Sequence, residues 1–138
     1  MTVIAYDGEF IAADRQISEG SVILAYENKI IPYSKGVWTS CGSVMDAEKF
    51  KVWLEDRTQK KPKLGRSFGG LYTEDGVVYE VNNTLVPIKA YKHSGLGGGG
   101  EAAMHYMKLG MSAEEACKAV CKINVYCGGK IDVHKVSD

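Results

Sequence analysis

Thr2 carries a β-hydroxyl, and loss of Met1 would leave a free α-amine on the same residue, at the head of the run Thr2-Val3-Ile4-Ala5-Tyr6. A hydroxyl alone is a weak nucleophile, but an α-amine with an ordinary pKa near ~8 can take its proton at neutral pH, directly or through one water. One residue then supplies both nucleophile and base. A threonine in second place ordinarily permits methionine removal, whereas a retained Met1 would put the amine on the wrong residue. The chemistry also needs a cation that disfavours the protonated amine by like-charge repulsion, and an acid that holds the cation. Asp14 and Lys29 are the candidates, because each lies at the end of an expected strand and strand ends meet in a hairpin meander. By spacing alone, the two read more simply as a surface ion pair of little energetic weight.

A fourth candidate is backbone rather than side chain. Ser40-Cys41-Gly42-Ser43 runs into a helix start, where free N–H groups could receive an oxyanion, Gly42 among them; the simpler reading is a helix cap. Gly95-Leu96-Gly97-Gly98-Gly99-Gly100 also opens a helix but matches no phosphate-loop signature, since no Gly-Lys-Ser/Thr follows and no βαβ unit surrounds it. Close backbone packing against the cluster around Thr2, or a flexible lip, explains those glycines equally well. His93, His105 and His134 are isolated, and Cys41, Cys117, Cys121 and Cys127 lack zinc-site spacing. The thiols read as reduced, small, buried side chains. Neither a metal nor another cofactor is expected.

The elements that would position these residues follow from pattern. Thr2 to Tyr6 and Phe10 to Ala13 flank an Asp7-Gly8 turn, a strong hairpin signal. Lys29 to Tyr33 and Val37 to Cys41 flank Ser34-Lys35-Gly36. A Ser43-x-x-Asp46 start and apolar residues at Val44, Ala47, Phe50 and Leu54 predict a helix over 44–57. The basic stretch 58–66 reads as a solvated connection. Strands are expected again over 67–72, 77–81 and 85–90, then a helix from Glu101 stopped at Gly110. A second helix is capped by Ser112 and Glu115, and a strand over 130–136 follows the Cys127-Gly128-Gly129 turn. Blocks of strands and helices without βαβ alternation mean an α+β fold.

The chain has 138 residues, 45% of them hydrophobic and 25% charged, which fits one soluble domain spanning 1–138. Seventeen basic residues balance seventeen acidic ones, which argues against nucleic acid as a partner. No apolar run is long enough to span a bilayer and the N-terminus lacks a secretory pattern, so a cytoplasmic protein is expected.

Taken in order, the segments resemble the proteasome β-subunit and bacterial HslV family of N-terminal nucleophile (Ntn) hydrolases. Thr2-Val3-Ile4-Ala5-Tyr6 and Ile11-Ala12-Ala13-Asp14-Arg15 are similar to the family's threonine start and Ala-Asp-Arg signature, and Lys29 falls where its catalytic lysine is expected. Cys41-Gly42-Ser43-Val44-Met45-Asp46-Ala47 resembles its oxyanion segment, 97–103 its Gly-Ser-Gly helix start, and 126–133 its Tyr-Ser-Gly-Gly turn. The resemblance implies an αββα sandwich of two antiparallel sheets flanked by helices, and a homo-oligomeric ring. It also implies hydrolysis of polypeptide substrates through an ester on Thr2, with Asp14, Lys29 and Gly42 in support and an ATP-dependent unfoldase as an optional partner. The chain departs from the pattern where Gly98 replaces the serine that bonds the amine, Asn124 an aspartate, and Cys127 a serine. Ser94 or a water is the candidate substitute for the missing hydroxyl. The chain is also shorter than typical members, as are divergent relatives in phage genomes. A non-catalytic member acting through oligomerisation or protein binding is the alternative.

Overall fold

Alternation along the first two strands sets up the core. In a computed structural model describing residues 1–136, β1 (Ile4–Tyr6) and β2 (Phe10–Ala13) pair antiparallel with Ile4 opposite Ala13. Successive side chains point to opposite faces, so Val3, Ala5 and Ala12 join one apolar cluster while Ile4, Ile11 and Ala13 join another. Asp7 shapes the connecting turn, its Oδ1 accepting from the N–H groups of Glu9 (2.9 Å) and Phe10 (2.7 Å).

Two antiparallel sheets result. One has the order β10 (Ser94–Leu96), β1, β2, β11 (Asp132–Lys135). The other runs β5 (Ile31–Tyr33), β6 (Gly36–Cys41), β7 (Gly69–Glu74), β8 (Val77–Asn82), β9 (Ile88–Lys89). Ile4 and Ile11 from the first sheet pack with Val37, Leu71 and Val78 from the second. The outer face of the first sheet is covered by α2 (Gly100–Lys108) and α3 (Ala113–Ile123), through Ala103, Met107, Ala116, Cys117 and Val120. The outer face of the second is covered by α1 (Val44–Glu55), where Phe50 meets the rings of Trp38, Trp53, Phe68 and Tyr72. This is the α+β, αββα arrangement expected from sequence.

Both expected caps form. Ser43 Oγ accepts from Asp46 N at 3.0 Å, and Ser112 and Glu115 close a reciprocal capping box. Other elements differ from expectation. The strand expected over 85–90 shrinks to Ile88–Lys89, because Leu85 takes a left-handed backbone (φ 56°) to bury its side chain and Pro87 has no N–H to donate. Part of the glycine-rich run is strand: Gly95 in β10 pairs with Ala5, and its bare α-carbon abuts the Gly100 carbonyl. A ribbon of β3 (Gln16–Glu19) and β4 (Val22–Tyr26), turning at Gly20, stands apart from both sheets. No helix among the described residues is long and apolar enough to cross a membrane.

Phe50 is fully buried at the hub of the aromatic cluster. Phe50→Ala should therefore lower unfolding free energy by about 3–5 kcal/mol, read as a shift in the urea midpoint with little change in its slope.

Candidate active site

Asp14 is the anchor. It extends β2 by one residue, its N–H donating to the Val3 carbonyl at 3.2 Å, and its side chain is wholly buried. A buried carboxylate is tolerable only when its oxygens are satisfied. Val3 N donates to Oδ1 at 3.1 Å, Gly128 N donates to Oδ2 at 3.0 Å, and Lys29 Nζ donates to Oδ1 at 2.8 Å. The Lys29 side chain is only 10% exposed, so this ion pair lies inside the protein.

Lys29 reaches that position because of the ribbon. The chain leaves Asp14 through β3, turns, and returns through β4 with Gln16 opposite Tyr26; Glu27 N then donates to the Arg15 carbonyl at 2.8 Å. Two residues later the ammonium is back beside the carboxylate. There it also donates to Thr2 Oγ1 at 3.0 Å. Thr2 sits just before β1, and its carbonyl is fixed by Gly99 N at 3.1 Å. Gly97 (φ +81°) lies so close that a β-carbon there would strike the Thr2 carbonyl. Close packing against the chain start thus accounts for these glycines.

Thr2, Lys29 and Asp14 are therefore brought together by direct hydrogen bonds. Gly42 follows β6 at the start of α1, in a left-handed conformation (φ +115°) that favours glycine, with the Phe68 backbone 3.2 Å from where a β-carbon would be. Its neighbour Cys41 is a residue of the site that sequence reading left among the plain thiols. Burial pushes the Cys41 thiol up, while the Gly97 and Gly69 backbone and the charge of Lys29 pull it partly back.

The arrangement can hold a hydroxyl beside an ammonium whose counter-charge is locked. Thr2 N is in peptide linkage to Met1, so the base proposed from sequence exists only once Met1 is gone. Among the described residues no group of three metal-ligating side chains occurs.

Comparison with known proteins reaches the fold by shape rather than sequence. No family model matches the chain, and no curated protein sequence matches it. Among solved structures, BPH of Thiobacillus denitrificans in complex with epoxomicin superposes with a TM-score of 0.72 at 17% identity, covering 100% of both chains. Eukaryotic HslV from Trypanosoma brucei gives 0.70 at 17% identity, over 96% of this chain and 97% of that one. A mutant of Anbu from Hyphomicrobium sp. strain MC1 gives 0.70 at 12%, over 98% and 82%. The chain has the HslV-like, proteasome-type fold.

Within that fold the three departures have local explanations. Gly98 carries no hydroxyl, and the Met1 thioether lies across it: a β-carbon on Gly98 would collide with the Met1 side chain. Asn124 caps the end of α3 and its Oδ1 accepts from Tyr126 N at 2.9 Å, so it shapes the turn. Cys127 is buried in the cluster beneath α3. Ser94 does not substitute for the missing hydroxyl. It pairs with Tyr6, at the opposite end of β1 from Thr2, and its Oγ donates to the Tyr91 carbonyl at 3.0 Å. The turn around Gly128 is also a clamp that sequence reading missed. Gly128 O accepts from Arg15 N and Gln16 N at 3.1 Å each, and the Gln16 amide donates to Val125 O at 3.0 Å.

Two outcomes follow. Asp14→Ala strands the Lys29 charge and should cost about 3–5 kcal/mol of stability, measured by urea unfolding; Asp14→Asn, which keeps an acceptor, should lose less. Burial, with Asp14 adding repulsion, raises the Cys121 and Cys127 thiols from 9.0 to about 11. A raised folded pKa means stability is retained below pH 9.0 and lost as pH climbs toward about 11. The urea midpoint should accordingly fall over that interval, less steeply in a Cys121→Ala/Cys127→Ala chain.

Proposed function

We propose that this chain, freed of Met1, is a cytoplasmic threonine peptidase of the HslV and proteasome type, working as one domain in a homo-oligomeric ring. The observation that carries the reading is the Lys29 ammonium bonded at once to Thr2 Oγ1 (3.0 Å) and to buried Asp14 (2.8 Å). In the reaction, the Thr2 amine takes the proton of Oγ as Oγ bonds to the scissile carbonyl carbon. The Gly42 N–H, at the positive end of α1, receives the developing oxyanion. Collapse breaks the C–N bond, the amine passes its proton to the leaving nitrogen, and Thr2 holds the acyl fragment as an ester. Water then attacks with the amine as base, giving a carboxylic acid and restoring the hydroxyl. Lys29 disfavours a second positive charge on the amine and polarises Oγ1; Asp14 holds Lys29 in place.

Ring assembly is supported by the β3–β4 ribbon. Two strands alone are marginal in water, and Val22, Ile23, Leu24 and Tyr26 are all exposed on this ribbon. A neighbouring copy that covered them would also steady the segment delivering Lys29. Unfolded polypeptide is the substrate class, and an ATP-dependent unfoldase is the partner that would feed it.

A second reading, a non-catalytic member acting through assembly or protein binding, is favoured by the Met1 thioether on Gly98 where a supporting hydroxyl is absent. Epoxomicin, which is bound in the BPH structure, separates the two. Incubation followed by intact-mass analysis should give a Met1-less chain carrying one inhibitor, with the adduct on Thr2 and none on Thr2→Ala. Lys29→Met should slow adduct formation at least 100-fold. A chain that keeps Met1 and gains no mass defeats the peptidase reading.

A further inference from the structure

Gln16, two residues after Asp14 at the start of β3, is only 4% exposed. A carboxamide carries two N–H donors, and burying either one unbonded is costly. Both are used: Nε2 donates to Val125 O at 3.0 Å and to Ser18 Oγ at 2.9 Å. The two acceptors belong to different segments. Ser18 stands in the ribbon, where the pairing of β3 with β4 shifts register between Ile17 and Ser18. Val125 stands in the turn after α3. One side chain therefore ties the ribbon to that turn.

These are the two segments that complete Asp14. The turn carries Gly128, whose N–H donates to Asp14 Oδ2 at 3.0 Å and whose carbonyl accepts from Arg15 N and Gln16 N. The return of the ribbon leads to Lys29, whose ammonium donates to Asp14 Oδ1 at 2.8 Å and to Thr2 Oγ1 at 3.0 Å. The carbonyl end of the Gln16 amide also rests against Gly128, with Oε1 2.5 Å from where a β-carbon would be. Displacing the carboxamide thus disturbs the donor to one carboxylate oxygen and the segment that delivers the donor to the other.

We propose that Gln16 is a positioning residue for the nucleophile: its carboxamide locks the turn after α3 to the β3–β4 ribbon, and so sets where the Lys29 ammonium stands against Thr2. The inference rests on the peptidase reading and deepens it. With the lock released, Lys29 is held less closely, its repulsion of a charged Thr2 amine weakens, and the amine titrates at higher pH. A merely structural role would lower the folded fraction and scale the rate without moving its pH dependence. Among the described residues, the other titratable groups that interact with Asp14 or Lys29 include the thiols of Cys41, Cys117, Cys121 and Cys127, all of which burial raises. The amine is therefore the group whose charge changes near neutral pH.

The rate of epoxomicin adduct formation on the Met1-less chain, followed by intact mass between about pH 6 and 9, tests this, with urea midpoints measured alongside. Gln16→Met keeps the length but has no N–H, and Gln16→Asn keeps the amide but is one methylene short. Each should slow the adduct about 10-fold at neutral pH and move the rise of rate upward by about half a pH unit. Ser18→Ala, which frees one of the two N–H groups, should slow it about 2-fold with a smaller shift in the same direction. An unchanged rate and profile in Gln16→Met overturns the positioning role and leaves the nucleophile reading standing. So does a slower rate that the lost folded fraction accounts for, with the profile in place. If neither Gln16 variant folds, the Ser18→Ala profile decides: an upward shift supports the role, and an unmoved one overturns it. No adduct on the unaltered Met1-less chain overturns the two readings together.

Discussion

The structure depends on a carboxylate that has been taken out of water and given enough partners to stay there. Asp14 is fully buried, yet two backbone N–H groups and one ammonium satisfy it. Removing charge from water is expensive, and a pair repays it only with good geometry and with its remaining hydrogen-bonding capacity filled. Each partner comes from a different part of the chain: Val3 from just before β1, Lys29 from the segment after the ribbon, Gly128 from the turn after α3. Satisfying one side chain therefore fixes three segments against one another. The ammonium left half-committed by Asp14 is then available to Thr2.

The same logic explains the glycines and the turn around them. Thr2 can sit against the turn between β10 and α2 only if Gly97 brings backbone rather than side chain to the Thr2 carbonyl, while Gly99, whose N–H bonds that carbonyl, is kept bare by Val3 and Val120. A β-carbon on Gly128 would push aside the Gln16 amide, whose Oε1 lies 2.5 Å from that point, and the Gly128 carbonyl accepts from both Arg15 and Gln16. Further out, the Arg15 guanidinium grips Asp132 through two 2.7 Å bonds, tying the segment after β2 to the closing strand. Positioning here is mostly backbone work, with few side chains to spare.

This division explains what was legible in the sequence. Strand ends announced by turn residues, such as Asp7-Gly8, put Asp14 and the chain start at the same edge, and capped helices were readable from Ser43 and Ser112. The β3–β4 ribbon was not located, because Val22-Ile23-Leu24-Ala25-Tyr26 is apolar throughout and shows no period of two; only Glu19-Gly20 hinted at its turn. β10 stayed hidden because glycine reads as loop, although here it is required by backbone contact with Gly100. The suggestion that Ser94 stands in for the absent serine failed on register, which places it opposite Tyr6. The seat of the Met1 side chain depends on which surfaces α3 and the glycine run present to each other, a tertiary matter that local pattern does not encode.

The aromatic cluster around Phe50 has a bearing on how this molecule can be watched. Both tryptophans, Trp38 and Trp53, belong to it, and the layer formed by β1, β2, α2 and α3 contains none. Indole emission is consequently a reporter for one half of the sandwich only. Partial opening confined to the half that bears Thr2 would leave that signal nearly unchanged, so such an event would need amide exchange or a tyrosine probe to be seen.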